Sequence, residues 1–147
     1  MGIIKIIVVL TLINFSTDVS ATNHLIIFNQ EWWGKVSTEY LENALNQGLD
    51  PNSKDKNGFT LMHYASFSKS TEILKLLINY GGDMDAQKNK LAQTPLHWAA
   101  NYGSEKYIKL LIDMGVNIIA KDSLDRSLCY YLKRNNKLSK NFTNCYC

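Results

Sequence analysis

Apolar residues recur along this chain in short runs of helical spacing, and a glycine follows each run. The runs cover residues 40–45, 73–78 and 107–112, and the glycines are Gly48, Gly81 and Gly115. The glycines are evenly spaced, at a step of about 33 residues. Each run predicts a helix with one apolar face that ends at its glycine, where left-handed backbone stops the helix. A repeated unit of this length cannot bury its apolar face alone, so the pattern predicts units stacked on one another.

A second motif recurs upstream of these helices with the same step. Residues 60–65 read Thr-Leu-Met-His-Tyr-Ala, and residues 94–99 read Thr-Pro-Leu-His-Trp-Ala. The motif resembles the ankyrin repeat, in which Thr-Pro-Leu-His-x-Ala opens the first of two helices. The second copy matches at every fixed position, whereas the first has Leu61 and Met62 in place of Pro and Leu. The resemblance implies an all-α solenoid of stacked helix-turn-helix units, with three to four repeats including degenerate caps.

Polar residues in register predict where the helices begin. A serine precedes the second helix of three units, and an acidic residue follows it in the first turn: these are Ser37, Ser70 and Ser104 with Glu39, Glu72 and Glu105. A serine oxygen can accept a bond from the N–H groups of a helix start, and an acidic residue complements their partial positive charge. Thr60 is predicted to cap a first helix. The turn before it contains Gly58, where left-handed backbone costs little, whereas Ala92 and Asp125 occupy that place in the next two units.

The repeat register divides the chain into a signal segment and four units. Residues 1–21 are predicted to be a signal peptide, and residues 22–147 an ankyrin repeat domain. Its units are an N-terminal capping repeat at 22–54, repeats at 55–87 and 88–121, and a truncated C-terminal repeat at 122–147. The last ten residues are expected to be poorly ordered, as chain ends commonly are.

The first 21 residues lie outside the repeat pattern and look like a secretory signal. Lys5 precedes an apolar run at 6–13, and Val19-Ser20-Ala21 provides small residues for cleavage before Thr22. The run is short for a membrane span. We therefore expect export, with the mature chain in the periplasm or secreted. The alternative is an uncleaved anchor that tethers an envelope accessory or structural protein to the membrane. An excess of Lys over Arg, with abundant Asn and Ile, is typical of an AT-rich genome.

Charge and cysteine content narrow the function classes. The net charge of +3 is spread along the chain, which argues against nucleic-acid binding. Three cysteines, Cys129, Cys145 and Cys147, leave two interpretations open. One is a disulfide with one remaining thiol, and the other, which we favour, is a small buried thiol at Cys129 with two thiols in a frayed tail. No histidine lies near them at a zinc-ligand spacing, so no zinc site is expected.

His63 and His97 are the most obvious candidates for chemistry, and both are interpreted as structural. Their spacing of one full repeat places them on successive units, too far apart to share a metal ion. The ankyrin resemblance implies that each bonds the backbone of a neighbouring turn. Asp83 and Asp85 are interpreted as turn-forming residues. The chain has no nucleophile elbow, phosphate loop or similar motif, so we expect no catalytic residues, no cofactor, no metal and no enzymatic activity.

The ankyrin resemblance implies a protein-interaction module that binds a protein partner through a concave surface. The turn tips and the exposed side of the first helices form that surface in the family. Carried onto this chain, the protein-binding positions are Lys56, Asn57, Phe59, Phe67, Ser68, Lys90, Leu91, Gln93, Asn101, Tyr102, Ser123, Leu124 and Arg126.

Aromatic residues dominate the expectation for this surface. Phe59, Phe67 and Tyr102 are expected to be exposed anchors, because aromatic residues beside Lys and Arg are typical of protein interfaces. Tyr64 and Trp98 occupy a slot that is apolar in the family and are assigned to the core. The chain is expected to be a monomer that binds no nucleic acid. It is expected to contact a membrane only if the N-terminal segment is not cleaved.

Overall fold

The structure, a computed structural model, describes residues 27–147 except positions 69, 88, 103 and 137. The predicted signal peptide lies outside the described residues. The helices are α1 Gln30–Trp33, α2 Thr38–Asn46, α3 Leu61–Ala65, α4 Thr71–Asn79, α5 Pro95–Tyr102, α6 Glu105–Asp113, α7 Leu128–Arg134 and α8 Lys140–Tyr146. Among the described residues, the only strand-like pairing is one isolated antiparallel bridge between Lys54 and Thr60. The predicted all-α solenoid is therefore confirmed.

The helices form two layers along the stack. The first helices of successive units, α1, α3, α5 and α7, pack side by side in the inner layer. The second helices α2, α4 and α6 pack in the outer layer, and the first helices α3 and α5 also pack against their own second helices, α4 and α6. One continuous core runs through the stack from Ile27 to Leu132. This arrangement buries the apolar stripe that no single unit could bury alone.

Serine caps fix the start of every second helix. The hydroxyl oxygens of Ser37, Ser70 and Ser104 each accept a bond from the backbone N–H three residues later, at 3.1 to 3.3 Å. Each helix also has the predicted acidic residue in its first turn. These predictions are confirmed. Ser139 makes the same cap at 3.1 Å at the start of α8, which the sequence did not predict.

Glycines end the second helices of the first three units. Gly48, Gly81 and Gly115 have φ values of 97°, 86° and 87°. A Cβ atom added at any of them would meet no heavy atom within 4 Å. The left-handed backbone, rather than lack of space, is therefore what favours glycine at these helix ends.

The turns after the second helices are connected from unit to unit. The Asp83 carboxylate accepts the backbone N–H of Asp85, and Asp85 accepts the backbone N–H of Asn117 in the next unit at 2.9 Å. Asn52 likewise accepts the N–H of Asp83 at 2.8 Å. The interpretation of the two aspartates as turn-forming residues is confirmed.

His63 connects two units from a fully buried position. Its Nδ1 accepts the backbone N–H of Thr60 at 3.1 Å, so the proton lies on Nε2, which donates to the Gln93 carbonyl at 2.8 Å. The predicted structural role is confirmed for this histidine. His97 accepts the N–H of Thr94 in the same way at 3.0 Å, but its Nε2 makes no hydrogen bond among the described residues. Backbone groups of Ala120 and Arg126 in the neighbouring turn still interact with His97 and partly offset the lowering of its pKa by burial, so the predicted contact is present without a hydrogen bond of normal geometry.

The end of the chain differs from the sequence prediction. The last ten residues were expected to be poorly ordered and the fourth unit truncated, but α8 gives this unit a second helix. A disulfide joins Cys129 on α7 to Cys147 just after α8, so the favoured interpretation of Cys129 as a buried thiol is wrong. The Ser139 N–H also donates to the Glu105 carboxylate in the preceding unit. The disulfide and the bond to Glu105 hold this end to the rest of the stack.

Core leucines of the outer layer should be essential for stability. Leu77 on α4 and Leu111 on α6 are both 0% exposed. We expect Leu77→Ala and Leu111→Ala each to lower the free energy of unfolding by about 2–4 kcal/mol, the usual cost of a buried cavity. Urea unfolding followed by circular dichroism would measure this. Lys75→Ala, at an exposed position of α4, is the control and should stay within about 0.5 kcal/mol of the parent. A change that small in the leucine variants would refute the packing described above.

Acid should destabilise the stack through His63. Burial is the main cause that lowers the pKa of His63 from 6.5 to about 4. The unfolded chain therefore binds a proton at this side chain at higher pH than the folded chain does. Its contribution is present above pH 6.5 and is lost as the pH falls towards 4, at a cost of about 3 kcal/mol. Urea unfolding at pH 7 and at pH 4.5 measures the loss. NMR titration of the His63 ring protons provides a direct check, and a folded-state titration near pH 6.5 would contradict the argument.

Candidate functional site

Three finger-like turns, here called the fingers, project before α3, α5 and α7. Each begins with a residue whose side-chain oxygen accepts the backbone N–H groups two and four positions later, at 2.8 to 3.1 Å. These residues are Asp55, Asn89 and Asp122. Such side-chain bonds to the backbone fold a tight turn without help from a sheet. The same chemistry therefore builds the three fingers in register.

Left-handed backbone closes each finger. Gly58, Ala92 and Asp125 lie three positions after the folding residue and have φ values of 86°, 48° and 59°. Asp adopts this region more readily than Ala does. Ala92 is thus the strained member of the set, and the two bonds that Asn89 accepts hold its finger closed.

The fingers bond to one another along the stack. The N–H of Lys90 donates to the carbonyl of Asn57 at 3.3 Å, and the N–H of Ser123 donates to the carbonyl of Leu91 at 2.8 Å. The fingers consequently form one wall, and the first helices form the floor beside it. We call the space between them the concave groove.

An aromatic cluster lies on the groove floor. Its members are Phe28, Phe59, Tyr64, Phe67, Trp98 and Tyr102. Trp98 is central, with its ring centroid 4.5 to 5.8 Å from four of the other rings. Trp98 is half-buried outside the core, so its assignment to the core was wrong, whereas Tyr64 is half-buried and packs against the core. Tyr102 is 43% exposed and forms the accessible edge of the cluster.

Hydrogen bonds hold the cluster to the fingers. The Trp98 Nε1 donates to the Gln93 side-chain oxygen at 3.0 Å, and the Gln93 amide donates to the Tyr131 hydroxyl at 2.6 Å. That hydroxyl donates to Asp122 at 2.5 Å. In the second unit, the Tyr64 hydroxyl donates to Asp55 at 3.1 Å. Fingers and aromatic rings are therefore a single bonded assembly.

Charge in the third finger is balanced by this assembly. Burial raises the pKa of Asp122, but hydrogen bonds from Arg126 and Tyr131 outweigh burial and hold that pKa well below its usual range. Burial, followed by the bond to Asp122, raises the pKa of Tyr131 to about 12. Asp122 is thus a carboxylate, and Tyr131 is a neutral donor, at any physiological pH.

Two hollows open along the groove. The larger, of about 790 Å³, lies between α1 and the aromatic cluster, where Phe28, Phe67 and Tyr102 contribute to its lining. The smaller, of about 370 Å³, lies between Trp98 and α7. Tyr102 lines both hollows, so its ring is accessible from either side.

The sequence-predicted positions fall into three groups in the structure. Six are exposed: Lys56, Lys90, Leu91, Tyr102, Ser123 and Leu124. Six are half-buried: Asn57, Phe59, Phe67, Ser68, Asn101 and Arg126. Gln93 is buried and bonded on both sides, although it contributes to the lining of the smaller hollow. Phe59 and Phe67 are rings packed on Trp98 rather than exposed anchors.

Sequence reasoning missed part of the groove. Tyr130 and Arg134 on α7 line the smaller hollow together with Trp98. Repeat register could have found Arg134, because it occupies the place in the fourth unit that Asn101 and Phe67 occupy in the units before it. The turn positions of the fourth unit, Ser123, Leu124 and Arg126, were predicted, but its helix positions were not, because that unit lacks the Thr-Pro-Leu-His motif.

Metal-binding groups and membrane-spanning helices are both absent from the described residues. Across the described residues, His, Cys, Asp and Glu side chains form no group of three or more that could hold a metal ion. Within those residues, no helix has the length and apolar character needed to cross a membrane.

Comparisons with known proteins agree with the fold. The family model described as ankyrin repeats, in three copies, matches residues 34–122. Delta-latroinsectotoxin-Lt1a of Latrodectus tredecimguttatus is 43% identical over 76 residues, which are 52% of this chain and 6% of that protein. The ankyrin repeat-containing protein P1E11.10 of Schizosaccharomyces pombe is 34% identical over 58 residues, 40% of this chain and 28% of that protein. This chain thus spans only a small part of each relative.

The family match covers more than half of the chain and includes the two units that carry most of the aromatic cluster. Ankyrin repeats are modules for protein–protein interaction and imply a protein partner. The chain belongs to the ankyrin repeat family.

Proposed function

We propose that this chain is a non-enzymatic module that binds a protein partner through its concave groove. The observation that carries the proposal is the aromatic cluster, which the fingers position beside two open hollows. Large aromatic rings that are partly exposed and rigidly held are the residues that contribute most to protein-binding energy. Tyr102, at the accessible edge, is the leading contact residue.

The burial and bonding of the two histidines support a non-enzymatic role. His63 and His97 both accept an N–H bond through Nδ1, and both are buried. Burial lowers the pKa of each, so neither is poised to exchange protons near neutral pH. The two histidines, which were the most obvious candidates for catalysis, therefore have structural roles.

We further propose that the chain is exported. The N-terminal pattern motivates this, and the Cys129–Cys147 disulfide supports it, because disulfides form and persist in oxidising compartments. The mature chain would then meet its partner in the periplasm or outside the cell. An uncleaved anchor would place the same groove at a membrane surface.

Site-specific crosslinking tests the binding face. A photoreactive amino acid at position 102 should crosslink the partner in the source cells, whereas the same amino acid at position 75, on the outer layer, should not. With the crosslinked protein purified, Tyr102→Ala should weaken its binding by about fivefold or more, the effect of losing a hot-spot ring. Calorimetric titration measures the affinity, with Lys75→Ala as the control.

The three aromatic variants differ in their expected effect on stability. Tyr102→Ala should cost the least stability of the three changes, because its ring is the most exposed of them. Phe59→Ala and Phe67→Ala should weaken binding too, but their half-buried rings add a loss of stability that must be measured alongside. Crosslinking at position 75 equal to that at position 102 would overturn the proposed face.

Export predicts a defined N-terminus. Mass spectrometry of the chain isolated from its own cells should find Thr22 as the first residue, because cleavage is expected after Ala21. An intact start at Met1 or Gly2, with the chain in the membrane fraction, would favour the tethered alternative. An intact start in a soluble cytoplasmic fraction would refute export.

A further inference from the structure

The acidic residues of the groove are already bonded within the chain. On the fingers and first helices they are Glu31, Asp55, Asp122 and Asp125. Three of them form ion pairs with a basic residue four positions away, at 2.6 to 2.9 Å. The fourth, Asp55, accepts two backbone N–H groups of its finger and the Tyr64 hydroxyl. Three of the four acidic charges are therefore balanced by a neighbouring basic residue, so they add no net negative charge to the groove.

Three basic residues of the groove have no ion-pair partner among the described residues. Lys56 and Lys90 occupy equivalent exposed positions at the tips of two fingers, and Arg134 is exposed at the end of α7. None of the three forms an ion pair among the described residues. The groove consequently has a positive excess on its wall and at its fourth-unit end, beside the aromatic cluster.

Arg134 is placed to receive an anion. Its guanidinium carbon lies 5.5 Å from the centroid of the Tyr130 ring, and that of Arg126 lies 5.2 Å from the same ring. Arg126 is neutralised by Asp122 at 2.6 Å, whereas Arg134 has no such carboxylate among the described residues. A guanidinium stacked on a ring keeps its N–H edges available for a bidentate carboxylate. The smaller hollow, which Arg134 lines with Trp98, provides the space.

We propose that the partner presents an acidic peptide segment in which an apolar side chain adjoins one or more carboxylates. The apolar side chain would rest on Trp98 and Tyr102, and a carboxylate would bond Arg134. The proposal rests on the proposed function, since it specifies the chemistry of what the same groove binds. A protein segment fits better than a nucleic acid, because the groove offers one well-oriented guanidinium beside aromatic rings rather than a broad basic surface.

Selection from a random peptide library tests the chemistry without knowledge of the partner. Dodecapeptides displayed on phage should be selected on the immobilised purified chain. Asp and Glu next to aromatic or aliphatic residues should rise about twofold or more over the unselected library, as charge complementarity requires. Enrichment of Lys and Arg, or no change in acidic content, would overturn the proposal.

The affinity of the most enriched peptide, prepared by synthesis, then tests whether Arg134 binds its carboxylate. Arg134→Gln should weaken binding about tenfold, which is the loss of a charge-assisted hydrogen bond. A peptide with Asn and Gln in place of Asp and Glu should bind as weakly, and Arg134→Gln should affect that peptide little. Lys109→Gln, an equally conservative change at an exposed position of α6, is the control and should bind normally.

The outcomes separate this proposal from the function on which it rests. If selected peptides depend on Tyr102 but not on Arg134, the groove binds protein and the acidic partner is refuted. If no peptide is enriched, or if Tyr102→Ala leaves every selected peptide bound, the groove itself is refuted as the binding face. If Lys109→Gln weakens binding as much as Arg134→Gln does, the effect is one of net charge and the assigned contact is wrong.

Discussion

The groove depends on three side-chain oxygens that fold the fingers. Asp55, Asn89 and Asp122 each capture two backbone N–H groups that would otherwise need water or a neighbouring strand. In the two aspartates, the second oxygen accepts a tyrosine hydroxyl, from Tyr64 or Tyr131. Turn chemistry therefore also orients the rings on the floor. Loss of either aspartate side chain would release a finger and a ring together.

In the middle finger, the residue that folds the turn is Asn89 rather than an aspartate. Its amide nitrogen donates to the Gln93 carbonyl, so it offers no second oxygen to a ring. The ring at that position is Trp98, which can only donate and bonds the Gln93 side chain instead. Gln93 in turn reaches Tyr131 in the fourth unit. The change from Asp to Asn is thus matched by a change of aromatic residue and a longer bonded path.

Sequence predicted what is local and missed what depends on distant residues. Serine caps, glycine helix ends and helical periodicity act over a few residues, so they could be identified directly. The burial of Gln93 depends on Tyr131, 38 residues away, and the surroundings of Trp98 depend on aromatic rings of the preceding unit. The C-terminal helix was missed although its Ser139 cap is local, because the contact that holds it to α7 is a disulfide whose pairing the sequence left open.

The residues at equivalent repeat positions change from aromatic to basic along the stack, so the two ends of the groove differ. The position of Phe59 is occupied by Gln93 and then Arg126, and that of Phe67 by Asn101 and then Arg134. The groove is therefore aromatic in the second unit and cationic in the fourth. Because no further unit covers α7 among the described residues, α8 packs against it and the disulfide secures that contact. The position of the cationic end thus depends on the helix that follows it, so α8 supports one end of the groove.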